Sequence, residues 1–326
     1  MLKIGMIGAG IHATGNLYPS LKYLEGVQLV AVCDINEQKA RDAARNFGFE
    51  KHYVDYKKML QQESLDGAIV CLNAELHPGI SIDCVQAGVN VLVEKPPART
   101  LEQAKQMSQA SRDSGKFIMV GFQKRFGTPY VKAMEIVRSD EFGKVVLIEA
   151  KMHGFEYPTI FTSLMEWQIH ILDLVRAFGG EVVEIRATAN RLNETRASIL
   201  TNLKFENGVI ATLSLGTEGG SGRFCERIEI VSDRKRGVIV ENARDLTYYT
   251  GNDAETWSPD WCPVSVNQSH VINGYAGEIS HFIDCIKNRA KPRPDIDDGL
   301  KALEIIYEIT EQIDIPPVWK QVPSGK

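Results

Sequence analysis

Long apolar runs are missing from this chain: its 326 residues contain no stretch of 18 or more apolar residues, so a membrane-spanning helix is not expected. Excess charge is missing too. The 37 basic and 42 acidic residues leave a net charge of -5, with no basic run and no aromatic-basic interleaving, which argues against nucleic acid as a partner. Cysteine is sparse and scattered, at Cys33, Cys71, Cys84, Cys225, Cys262 and Cys285, and no two stand as Cys-x-x-Cys. These read as small buried hydrophobes in a reducing compartment, and since neither Cys nor His clusters at ligand spacing, no metal site is expected. Internal repeats and low-complexity linkers are lacking as well. The opening MLKIGMIGAG reads as a strand and not as a cleavable leader, so a cytoplasmic location is expected.

What is present is enough apolar residue, 44%, for two cores in a chain longer than one core usually supports. In the first third, short apolar runs (KIGMIG, VQLVAVCD, GAIVCL, NVLVE, KFIMVG) alternate with helical patterns, including 36–46, 78–87 and 101–114. Continuous apolar strands separated by helices predict a parallel sheet covered on both faces. Beyond residue 121 the pattern changes. A long amphipathic helix near 163–178 precedes successive strands with period-two alternation, as in Glu181-Val182-Val183-Glu184-Ile185-Arg186, and Asn207-Gly208 marks a hairpin. The expected fold is therefore α/β: an N-terminal doubly wound Rossmann domain, 1–121, and a C-terminal α+β domain, 122–326, with a large, mainly antiparallel open sheet. Helices over about 274–288 and 297–314 are expected to pack back toward the N-terminal domain. The stretches Gly219-Gly220-Ser221-Gly222 and 251–270 read as loops.

The first turn, Gly8-Ala9-Gly10-Ile11-His12-Ala13, fits G-x-G-x-x-G/A between a strand and a helix. Gly8 makes the turn, Gly10 leaves room for a pyrophosphate, and Ala13 permits close packing of helix on sheet. The second strand ends in Asp34, whose carboxylate can accept the adenosine-ribose hydroxyls and would repel a 2′-phosphate. Ile35-Asn36-Glu37 supplies no Arg to welcome one, so NAD is favoured over NADP. Within the turn, His12 is expected to matter more through its backbone than its imidazole.

Ligands of doubly wound sheets bind outside the carboxyl ends of the strands, and NVLVE delivers Glu94 and Lys95 there, against Pro96 and Pro97. Position alone does not separate a lysine aimed into that crevice from a solvated one. Taken together, the glycine turn, Asp34 and Glu94-Lys95-Pro96 resemble the Gfo/Idh/MocA family of nicotinamide-dependent oxidoreductases acting on sugars, inositols and related polyols. GFQKRF at 121–126, His170-x-x-Asp173 and PDIDDGLKALEII at 294–306 extend the likeness over nearly the whole chain. The resemblance implies a lysine, Lys95, beside the reacting carbon, an often cis peptide before Pro96, and a second-domain sheet that makes homodimers or homotetramers.

On the predicted helix, Glu166, His170 and Asp173 stand at i, i+4 and i+7 and share a face, with Leu164, Ile171, Val175 and Phe178 roughly opposite. Taken alone, the stripe also fits a solvated face; the resemblance identifies His170 with the family's active-site histidine. Glu166 stands where many members have Asp, one methylene shorter. The implied chemistry is hydride transfer between a secondary alcohol carbon and nicotinamide, with Lys95 or His170 as the base; the residues leave open which. Leu72, Asn73 and His77 are implied on the cofactor rim, with Asn73 where the family usually has proline. Arg125 fits either a substrate contact or an interdomain salt bridge, and Trp167 either a sugar-stacking ring or a core tryptophan. Two rival functions also fit: glycoside processing with transient oxidation by tightly held NAD, and a non-catalytic NAD-binding sensor.

Overall fold

The structure, a computed structural model, describes residues 1–218, 225–259 and 265–320. Cys262 and the loop at 219–222 lie outside the described residues. Two compact units emerge, Met1–Phe126 with Val264–Lys301, and Gly127–Pro263 with Ala302–Lys326.

The first unit is built on six parallel strands: β1 Leu2–Ile7, β2 Val27–Cys33, β3 Lys51–Tyr53, β4 Gly67–Val70, β5 Asn90–Glu94 and β6 Ile118–Gly121. Their order, β3-β2-β1-β4-β5-β6, is that of a doubly wound dinucleotide fold. The central strands β4 and β5 are buried along their whole length, which is why they read as unbroken apolar runs. β3 is only three residues long and largely exposed, so it leaves no such trace. This unit runs to Phe126, past the division expected at 121, and includes the helix Tyr275–Asn288. The reason is packing: Ile279, Phe282 and Ile283 are at most 1% exposed and share a core with Ile4, Met6, Leu92 and Met119 of the sheet. Burying each such side chain contributes about 1.5–3 kcal/mol.

The helix expected after β1 is irregular. Ala13–Leu17 forms a π turn and Tyr18–Tyr23 a 3-10 helix. Pro19 has no N–H to donate and so cannot continue an α-helical ladder there.

The second unit holds an eight-stranded sheet: β7 Val145–His153, β8 Val182–Arg191, β9 Ala197–Phe205, β10 Ile210–Gly216, β11 Cys225–Ser232, β12 Gly237–Glu241, β13 Asp245–Tyr249 and β14 Ala254–Trp257. The order is β14-β13-β12-β11-β7-β10-β9-β8, and only β7 and β10 pair in parallel. The hairpin at Asn207-Gly208 forms, with Gly208 at φ +88° and Phe205 N–H donating to Val209 O. β14 and the helix Ser265–Ile272 occupy parts of the stretch 251–270 expected as a loop, of which 260–264 lie outside the described residues.

Alternation along β9 sends Ile199, Leu203 and Phe205 inward, while Leu200, Asn202 and Lys204 face outward. The helix Ile169–Gly179 packs on β7 and β10. It is buried nearly all round, so the solvated-face reading of its polar stripe does not hold. The expected single helix is in fact Ile160–Ser163, a π turn at Leu164–Gln168, then Ile169–Gly179.

Candidate active site

Parallel strands end together, and the first unit's candidates gather at the carboxyl edge of its sheet. Gly8 N–H donates to Cys33 O and Cys71 N–H to Ile7 O, which fixes the ends of β1, β2 and β4 side by side. At Gly8, with φ +107°, a Cβ would stand 2.0 Å from Cys71 O, so the turn admits only glycine. At Gly10 a Cβ would meet nothing within 4 Å, so the backbone there faces open space that a diphosphate could approach. The buried phenol of Tyr18 pins the turn by donating to Gly8 O at 2.6 Å, and burial, then Cys71 and Asp34, pushes its pKa far up and keeps it protonated.

Asp34 is locked beside this turn. Its Oδ2 accepts from Ala9 N–H and its Oδ1 from Asn36 N–H, each at 2.8 Å. A carboxylate can accept about four hydrogen bonds, so each oxygen keeps room for another donor. Ile11 and Ile35, 82% and 93% exposed, flank the turn and the carboxylate with apolar surface. Arg41 is already bound to Glu37 at 2.6 Å. Burial, then the Asp34 charge, pushes the adjacent Cys33 thiol up to about 12, and burial likewise raises Cys71, so both remain neutral.

The imidazole of His77 is buried and spans two loops. Leu72 N–H donates to its Nε2 at 3.3 Å, leaving the proton on Nδ1, which donates to Pro96 O at 2.9 Å. Thus His77 joins the end of β4, with Leu72 and Asn73, to the segment that follows Lys95. The Lys95–Pro96 peptide is cis.

Glu94 is 7% exposed and is held on both oxygens. Its Oε2 accepts from Lys95 N–H at 3.2 Å and its Oε1 lies 3.3 Å from His12 Nε2. Asn16 Nδ2 donates to His12 Nδ1 at 3.0 Å, so the His12 proton sits on Nε2 and points at Glu94. Burial resists ionisation of Glu94, yet His12, then Lys95 and His77, outweigh it and hold the carboxyl below the usual glutamate range. The ring of Tyr275 packs edge-on against His12, with centroids 5.7 Å apart. The imidazole of His12 thus has bonds of its own to Glu94 and Asn16, contacts the sequence reading did not anticipate. Tyr275 and Tyr18 were also missed, because neither lies in a motif and their contacts are long-range. Arg125 lies 4.0 Å from Asp298 Oδ2, an ion pair within the first unit and not between domains.

In the second unit, the candidates occupy one helical stretch. Glu166 and Trp167 are half-buried in the π turn, while His170 and Asp173, 3% and 1% exposed, follow in the regular helix. The π turn rotates Glu166 relative to an ideal α-helical stripe. Trp167 lies edge-on to His170, centroids 6.4 Å apart, and to the exposed Phe155 at 5.2 Å. Trp167 thus stands between the Phe155 ring and the His170 imidazole. Nearby, at the end of β7, His153 Nε2 lies 2.8 Å from Ser214 Oγ, and burial, then Lys151, lowers its pKa. Among the described residues no group of His, Cys, Asp and Glu could hold a metal ion, and no helix is long and apolar enough to cross a membrane.

Comparison with known proteins identifies the family and the fold. Residues 2–122 match the family model described as an oxidoreductase family with an NAD-binding Rossmann fold, and residues 130–236 match the GFO/IDH/MocA C-terminal domain. Myo-inositol 2-dehydrogenase of Thermotoga maritima is 22% identical over 332 aligned positions, covering 96% of each chain. D-apiose dehydrogenase of Paraburkholderia graminis is 27% identical over 328, covering 93% of this chain and 85% of the relative. A dehydrogenase structure from Chromobacterium violaceum superposes with a TM-score of 0.88 at 24% identity, covering 97% and 96%.

Proposed function

Because the chain belongs to the Gfo/Idh/MocA oxidoreductases, we propose that it is an NAD-dependent dehydrogenase acting on a CH-OH carbon of a sugar, inositol or related polyol. The observation that carries the reading is the Asp34 carboxylate, locked by two backbone N–H groups beside a glycine turn open at Gly10. Those groups fit an NAD dinucleotide: Gly8 and Gly10 for its diphosphate, Asp34 for the adenosine ribose, and Ile11 and Ile35 for the adenine faces. The residues directly after Asp34, Ile35-Asn36-Glu37, supply no arginine for a 2′-phosphate, and Arg41 further along pairs with Glu37 at 2.6 Å. The second unit would supply the substrate contacts and, through the open face of its sheet, the interface of a homodimer or homotetramer.

When bound, the nicotinamide supplies the hydride acceptor or donor. The chain's own task is the proton. In this reading Lys95 or His170 is the base that takes the hydroxyl proton. Glu166 and Asp173 hold neighbouring hydroxyls, Trp167 covers an apolar face of the ring, and Arg125 contributes through Asp298. His77 and Glu94 set the loop that carries Lys95.

The test is purified protein with NAD and a panel of sugars and polyols, following NADH absorbance and product separately. Lys95→Ala and His170→Ala should each lower turnover by roughly two to four powers of ten, with NAD affinity nearly unchanged. Product without net NADH would favour transient oxidation instead; NAD binding with no product from any substrate would favour a sensor.

A further inference from the structure

At the amino edge of the first unit's sheet, away from the glycine turn, lies a cavity of about 830 Å³, within the size range of small-molecule sites. Leu2, Phe117 and Ile286 contribute apolar wall, and five cations line it: Arg112, Lys116, Lys287, Arg289 and Lys291, against one carboxylate, Asp66. In a chain of net charge -5, that is a local reversal of sign.

Part of this charge has an ordinary explanation. The helices Leu101–Ser114 and Tyr275–Asn288 both end here, and a cation in the last turn balances the partial negative charge of a helix C-terminus. Arg112 and Lys287 occupy those last turns. Lys291 binds Asp295 at 2.6 Å. The other two, Lys116 and Arg289, also stand just past those helix ends. Neither Lys116 nor Arg289 forms an ion pair among the described residues, although both line the same cavity. Arg289 also holds a left-handed conformation, φ 51° and ψ 40°, at a helix-ending position where glycine would fit without strain.

We propose that this cavity is a binding site for a phosphate ester of roughly mononucleotide size, its phosphate held by Lys116 and Arg289 and its organic body against Phe117, Leu2 and Ile286. Nothing in the proposal depends on the redox reading, since the cavity lies at the opposite end of the strands from Gly8, Asp34 and Lys95.

The test is thermal unfolding of the NAD-saturated protein in 5'-AMP, in orthophosphate and in sodium chloride, all at matched ionic strength. For a sub-millimolar site, roughly 10 mM AMP should raise Tm by about 2–5 °C, with orthophosphate giving less than half of that. The double variant Lys116→Ala with Arg289→Gly should lose the rise. Because glycine suits the backbone at 289, that variant should fold with an unchanged or higher Tm, so its loss of response cannot be ascribed to unfolding. No rise in the wild type, the same rise in the variant, or a rise fully matched by orthophosphate would each overturn the proposal.

Discussion

The two groups of candidate residues, one in each unit, are assembled in different ways. In the first unit, residues far apart in sequence meet because parallel strands end together, and the side chains that matter also hold the structure. Asp34 carries two backbone N–H bonds, His77 ties Leu72 to Pro96, and Glu94 ties His12 to the Lys95 backbone. In the second unit, Glu166, Trp167, His170 and Asp173 fall within eight positions of one helical stretch. That stretch is anchored by its apolar neighbours, among them Ile169, Ile171, Leu172 and Val175. In the first region the candidate side chains themselves carry the bonds that hold the turn and loops, whereas in the second much of the packing is carried by apolar neighbours.

The most severe test of that contrast lies within the glycine turn. Gly8→Ala puts a carbon 2.0 Å from Cys71 O at a φ that L residues rarely adopt, and should destabilise by about 4 kcal/mol or more, seen as a collapse in Tm or in soluble yield. Gly10→Ala, with open space around its Cβ, should leave Tm within about 1 kcal/mol yet weaken NAD at least about tenfold by calorimetry. Equal damage from both would remove the distinction between a packing glycine and a ligand glycine.

A smaller effect compares the two regions directly. His77→Ala empties a buried site and leaves Leu72 N–H and Pro96 O without their imidazole, so it should destabilise by about 2–4 kcal/mol in denaturant titration. Glu166→Gln, half-buried on the second unit's π turn, should change stability by less than about 1 kcal/mol. Similar values for the two would mean that the second region is as structurally committed as the first.

The mildest effect is in pH. Glu94 has its folded pKa held below the usual value, so its stabilising contribution is complete above the unfolded carboxylate range and disappears as pH falls through the lower folded value. Tm of the wild type should therefore fall between about pH 5 and pH 3 more steeply than Tm of Glu94→Gln. Parallel slopes would show that His12 and the Lys95 backbone do not favour the ionised carboxylate.

Legibility followed the same division. The Rossmann half was readable because its strands are buried on both faces and its turn has a fixed glycine spacing; β3, three residues and largely exposed, had neither signal. The second sheet was readable from alternation, as in β9, but β14 is exposed on three of its four residues and did not alternate. Helical spacing put Glu166, His170 and Asp173 on one stripe, whereas the burial of that stripe depends on the sheet beneath it. The π turn left no mark in composition.

By itself, the sequence determined which backbone segments become strands, which turn requires glycine, and which acid ends the second strand, because burial periodicity and φ preference act over a few residues. Tertiary structure alone decided that His12 would point its proton at Glu94, that His77 would bridge two loops, that Tyr18 would pin the glycine turn, and that Phe282 would close the first sheet's core. Those contacts join residues from five to more than two hundred positions apart, and no local preference encodes a partner that only the folded chain brings within reach.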